Sequence, residues 1–236
     1  MSNHLHHHGH TEFHLTSSEV LTDIVIGMSD GLTVPFALAA GLSGAVNNSH
    51  IIVIAGIAEI AAGSIAMGLG GYLAGKTEQD HFNSELKREY EEVELLPDRE
   101  KEEVMDFFKG IGLSKQMQLQ ATNEIIKDKD QWVQFMMKFE LGLDEPNPKR
   151  AARSARNIGL SYIAGGIIPL SPYFFITDSV EALRFSVIAT LICLFIFGYF
   201  KSKITGVKPV QGALKVMGIG AVAAAAAFLL ARLFQA

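Results

Sequence analysis

"IIVIAGIAEIAAGSIAMGLGGYLAG" (residues 51–75) runs for 25 residues with a single charge, Glu59. About 20 consecutive apolar residues cross the hydrocarbon core of a bilayer, so this stretch reads as a membrane span. Just upstream, "GMSDGLTVPFALAAGLSGA" (residues 27–45) repeats the pattern, again with one charge, Asp30, and with Pro35 a turn beyond it. "NNSH" joins the two runs as a tight hairpin.

Three more apolar runs bring the candidate spans to five: residues 24–46, 51–75, 158–176, 183–200 and 213–233. "PLSPY" ends or bends the third, and Gly220 and Ala224 in the fifth have the i, i+4 spacing that lets helices approach closely in lipid. The charges are segregated. Residues 76–150 hold 18 of the 25 acids and 12 of the 20 bases. The chain therefore reads as an all-α integral membrane protein with five transmembrane helices and a soluble helical domain inserted between helices two and three. The organisation expected is a His-rich tail at 1–17, helices one and two in 18–75, the insert at 76–150 and helices three to five in 151–236. The lone cysteine, Cys193, lies in an apolar run, which excludes disulfides and cysteine-based metal sites. No stretch reads as a secretory signal, and no nucleic-acid partner is expected.

Basic residues set the expected orientation. Lys149, Arg150, Arg153 and Arg156 precede the third span, and Lys201, Lys203, Lys208 and Lys215 cluster around the turn between the fourth and fifth. The opposite side has Arg184 and Arg232. The insert and the N-terminus are expected in the cytosol, and the C-terminus on the far side.

A charge inside a span costs about 2.5–3.5 kcal/mol on insertion scales and usually has a function. At 1.5 Å per residue, Asp30 and Met67 each lie roughly 24 Å from the outer ends of their helices, and Glu59 about 12 Å from its own. A carboxylate and a thioether at one depth suit a borderline transition metal better than Mg²⁺ or Ca²⁺. Pro35 is expected to break the backbone ladder beside Asp30, where irregular backbone would line a cavity. The plainer alternative makes Asp30 a cap and Met67 packing.

In the insert, the second helix is expected to run on until Pro97. Glu89 and Glu92 precede that proline, and Glu100 and Glu103 follow it, each pair at i, i+3 on one helix face. A further helix, "QWVQFMMKFELG", carries Met136, Met137 and Glu140, with Met136 and Glu140 at i, i+4. Residues 113–127 read as another helix of the same small bundle. These carboxylates could bind divalent cations or form a solvated acidic surface. Glu78-x-x-His81 has the spacing of di-iron bundles, but such sites need a second copy, and the chain has none. The five histidines of "MSNHLHHHGH" fit either a metal-capturing tail or a cloning remnant.

"DIVIGMSDGLTVPFALAAGLSGA", "AGIAEIAAGSIAMGLGGYLAGKTEQDH", "FMMKFELGLDEPNPKRA" and "GGIIPLSPY" closely resemble the vacuolar iron transporter family, from about Ser18 to the C-terminus. The resemblance implies five transmembrane helices, a homodimer with the path between subunits, and a cytosolic metal-binding domain. It implies export of Fe²⁺ from the cytosol in exchange for protons, with Mn²⁺, Co²⁺ or Zn²⁺ as related cargo, and no prosthetic group or enzyme activity. By motif, Asp30, Glu59 and Met67 match the family's path residues. Glu89, Glu92, Glu100, Glu103, Met136, Met137 and Glu140 match its metal ligands. The membrane implied is vacuolar in a eukaryote and cytoplasmic in a bacterium. The alternative is a membrane-anchored, ferritin-like metal buffer or sensor that transports nothing.

Overall fold

The computed structural model describes residues 19–233, and every regular element among them is helical. In chain order these are α1 (Glu19–Ala45), α2 (Ser49–Leu95), α3 (Pro97–Gly110), α4 (Lys115–Ile125) and α5 (Lys129–Phe135), which passes into a π-helical turn (Met136–Glu140). Then come α6 (Arg150–Leu170), a 3-10 turn (Ser171–Phe174), α7 (Ser179–Ile204) and α8 (Pro209–Leu233). The described chain divides into two compact units, residues 19–69 with 154–233, and residues 70–153. The His-rich tail lies outside the described residues.

The first unit is built inside out relative to a water-soluble bundle. Ile65 and Val222 are 65% and 70% exposed, while Ser179, Ser186 and Thr190 are wholly buried. Apolar side chains outside and hydroxyls inside suit a solvent of lipid tails. By length and composition, α1, α2, α7 and α8 can each cross a membrane. The fifth expected span, residues 158–176, falls short of that measure. Its helix, α6, opens with Arg150, Arg153 and Arg156 and stops at Leu170, directly after Pro169.

Close approach decides how α1 packs. A Cβ at Gly31 would run into the backbone of Tyr162, so α1 and α6 meet backbone to backbone there. Asp23, buried on the same helix, accepts hydrogen bonds from Ser154 Oγ at 2.7 Å and Asn157 Nδ2 at 3.3 Å. Pro35 does not break α1 as expected; the helix continues to Ala45. The ring costs one backbone hydrogen bond, but α6 makes room for it. A Cβ on Gly166 would lie only 3.2 Å from Pro35 Cγ. On α8, Gly220 and Ala224 are both buried, as the close-approach spacing implied.

In the second unit, α2 runs unbroken to Leu95 and Pro97 opens α3 at a first-turn position where its missing N–H costs nothing. Ser114 and Asp128 cap α4 and α5, accepting from Met117 N and Gln131 N. Gly112, at φ +88°, makes the left-handed turn between α3 and α4. The core gathers Val93, Val104, Trp132, Val133, Met136 and Met137. Phe107, Phe108, Phe135 and Phe139 stack along one side with centroids 4.9–5.5 Å apart.

Candidate metal centre

Three carboxylates from three different segments converge in the second unit. Glu89 comes from α2, Glu100 from α3 and Glu140 from the π turn, and each offers an oxygen within 4.8 Å of the others. The spacing of the Glu pairs put two acids on each helix face. Packing around Val93 and Val104 then selects which member of each pair turns inward. Glu89 and Glu100 are each only 2% exposed, whereas Glu92 and Glu103 stay half-buried at the edge. Glu103 stands close enough to Glu140 to raise its carboxyl.

The electrostatics are those of a site short of positive charge. Burial first, then Glu140, Glu100 and Glu92, push the Glu89 carboxyl up to about 7. Burial, then Glu103, Glu92 and Glu140, push Glu100 up to about 7 as well. Glu140 is also raised, by desolvation and then by Glu103. The nearby cations stand at the rim. Arg88 is 50% exposed and reaches Glu85 at 2.6 Å, Glu92 at 3.6 Å and Glu89 at 3.8 Å; Arg99, 67% exposed, reaches Glu103 at 3.1 Å. One oxygen each of Glu89 and Glu100 is buried without a hydrogen-bond partner. A buried unpartnered carboxylate oxygen is costly, and a divalent cation fits these two together with the exposed Glu140 carboxylate at this separation.

Met136 and Met137 belong to the apolar core, at 0% and 2% exposure. The expected α-helical register between Met136 and Glu140 does not hold. The backbone is π-wound here, with Leu141 N donating to Met136 O, five residues back. The wider turn leaves Met136 in the core and Glu140 exposed. Glu78 and His81 take no part in the cluster: Glu78 accepts from Arg150 Nε at 3.0 Å, and His81 lies 3.8 Å from Glu85.

In the first unit, Asp30, Glu59 and Met67 are all half-buried. Glu59 accepts a short hydrogen bond from the Tyr162 hydroxyl, and its second carboxylate oxygen is buried and unpartnered. Tyr162 is 2% exposed and packs where Gly63 leaves room on α2, while its backbone meets Gly31, the neighbour of Asp30. Sequence reasoning missed Tyr162. Its signal was the sole aromatic hydroxyl in "LSYIAGG", inside a stretch expected to face others bearing carboxylates. Asp23 was missed too; its two donors on α6 make it a tie between helices.

The VIT family model matches residues 21–232. Vacuolar iron transporter 1 of Arabidopsis thaliana is 52% identical over 226 residues, covering 96% of this chain and 90% of that protein. Vacuolar iron transporter 2 of Oryza sativa subsp. japonica is 50% identical, covering 96% of this chain and 92% of that protein. Protein CCC1 of Saccharomyces cerevisiae is 38% identical over 237 residues, covering 94% and 71%. By its motifs, its match along nearly the whole chain and its kinship with these transporters, the chain belongs to the VIT family.

Proposed function

We propose that the protein moves a divalent transition metal, Fe²⁺ with Mn²⁺ as the second cargo, out of the cytosol in exchange for protons. The observation that carries the reading is the convergence of Glu89, Glu100 and Glu140 within 4.8 Å, two of them buried with unpartnered oxygens. Named relatives that are vacuolar iron transporters support a metal cargo. In this reading α6 is a fifth transmembrane helix, residues 76–150 face the cytosol on the side rich in lysine and arginine, and the membrane is vacuolar. The working form is a homodimer.

The chemistry follows from the carboxyls. With Glu89 and Glu100 at about 7, a neutral cytosol leaves them partly protonated, and an arriving cation displaces those protons. Glu92 and Glu103 add charge at the rim, and the sulfurs of Met136 and Met137 would bias the insert toward softer ions. The domain gathers cation from a dilute solution. Asp30, Glu59 and Met67 then carry it across the apolar layer. Protons arriving from the far side neutralise the carboxylates and release the ion. Tyr162 holds Glu59 by one oxygen and leaves the other to the cargo.

A buffer or sensor that moves nothing is the second reading, favoured by one fact: the three converging carboxylates all lie within one compact unit. Proteoliposomes separate the two. A transporter gives sustained Fe²⁺ uptake that rises with an imposed proton gradient and competes with Mn²⁺. Uptake that stops at one binding equivalent, indifferent to the gradient, would leave only the buffer.

A further inference from the structure

The run "AVAAAAAF" (residues 221–228) gives α8 small side chains on more than one face. Ala224 is 6% exposed and packs with Phe36 and Ala40 of α1. Beside it an apolar groove of about 230 Å³ opens between α1, α7 and α8, walled by Phe36, Ala40, Leu183, Leu191, Ala221 and Phe228.

The depth of this groove can be read twice. Leu183 and Leu191 lie roughly 6 and 18 Å along α7 from its start. Phe228 and Ala221 lie roughly 8 and 18 Å back from the end of α8. The two helices agree on a band from about 6 to 18 Å below one end of the bundle, which is the depth of acyl chains in one leaflet. The same end carries cations. Arg232, in the last turn of α8, stacks its guanidinium over the Phe228 ring at 5.0 Å. Arg184 follows Leu183 in α7, whose start also carries Asp178 and Glu181, and no acid occurs after Glu181, so Arg232 has no acid near it in sequence. A guanidinium at headgroup depth above an apolar slot at chain depth has the form of a phospholipid.

We propose that the groove is a phospholipid site, with one acyl chain between α1, α7 and α8 and the phosphate held by Arg232. The consequence reaches the transport path through α1. Phe36 and Ala40 form one wall and stand six and ten residues beyond Asp30 on the same helix. A bound chain ties α1 to the α7–α8 hairpin and steadies the segment bearing Asp30. The proposal rests on the bilayer reading of the chain and not on the identity of the cargo.

The test uses the full chain, purified in detergent, stripped of lipid and titrated with palmitoyl-oleoyl phosphatidylglycerol. Retained lipid is read by native mass spectrometry and stability by thermal unfolding. Wild type should retain lipid and gain stability as it returns. Ala225→Leu, which fills the groove from an exposed lining position, should lose both responses. Arg232→Gln should need about tenfold more lipid for half the response, the loss of one charged contact. Val222→Leu, on the outward face at 70% exposure, should behave as wild type. Equal retention by Ala225→Leu and wild type would overturn the proposal. In case that variant fails to fold, wild-type protein is also photolabelled with a phosphatidylglycerol bearing a diazirine in one chain. Labelling should fall on residues 183–191 and 221–228, and its absence there would overturn the site. Disulfide crosslinking between Ala225→Cys copies would place a second chain in the groove and overturn it too.

Discussion

Replacing Glu100 by Gln should stabilise the protein while disabling the proposed metal site. Unfolded, this carboxyl titrates near 4.5; folded, at about 7. Between those values the folded state holds the proton more tightly, so folding stability falls as pH rises through the window. Above pH 7 the loss is about 3 kcal/mol for one such group, at 1.36 kcal/mol per pH unit. A buried glutamine resembles the protonated glutamate in size and polarity and escapes the loss. For a unit the size of residues 70–153, about 3 kcal/mol raises the melting temperature by roughly 10–20 °C. The effect should appear at pH 8 without metal, fall to roughly a quarter of that at pH 5 and vanish below about pH 4.5, where both states of the wild type are protonated. The chain supplies its own probe. Trp132 is the sole tryptophan and sits 5% exposed in the core of this unit, so its fluorescence reports the unit within full-length protein. Metal should close most of that gap. At a hundredfold excess over Kd, a cation adds about 2.7 kcal/mol to wild type at pH 8 and little at pH 5, because protonated ligands do not bind it. Glu100→Gln should gain almost nothing at either pH. A variant less stable than wild type at pH 8 without metal, or equally stabilised by Mn²⁺, would refute the reasoning.

Asp30→Asn keeps shape and removes the titratable charge, so proteoliposome Fe²⁺ flux should fall to background while the detergent elution profile is unchanged; wild-type flux from a folded variant sinks that role. Tyr162→Phe removes the hydroxyl that Glu59 accepts from, and the loss of one charge-assisted bond of about 1.5–3 kcal/mol should lower flux about tenfold or more and move its pH profile; an unmoved profile would make Tyr162 packing alone. A Cβ at Gly70 would meet nothing within 4 Å among the described residues, so Gly70→Leu should fold normally and weaken crosslinked dimers; equal crosslinking would move the dimer interface elsewhere.

Most of the fold could be read from residues because the strongest signals were local. Twenty-five residues with one charge leave little choice but a membrane helix, and α2 runs to Leu95 because nothing before Pro97 can stop it. Pro35 misled for the opposite reason. Its effect depends on what lies alongside, and the space left at Gly166 belongs to a helix over a hundred residues away in the chain. The charges of Arg150, Arg153 and Arg156 lower the hydropathy of α6, so it does not count among the four described helices long and apolar enough to cross a membrane.

The candidate site was legible to the same depth. Periodicity paired Glu89 with Glu92 and Glu100 with Glu103, but it could not say which member turns inward. That is settled by the burial of Val93 beside the first pair and Val104 beside the second. Glu140 depends on a further step invisible in sequence, a π turn that sends Met136 into the core and leaves its fifth residue outside. This winding makes a sharp distinction between the acids possible. A ligand must be buried enough to lose its water and still have an oxygen to spare, and Glu89 and Glu100 meet both conditions. Glu92 and Glu103 keep water and arginine partners. Binding should therefore depend steeply on the first two and weakly on the second two, although sequence spacing makes all four alike.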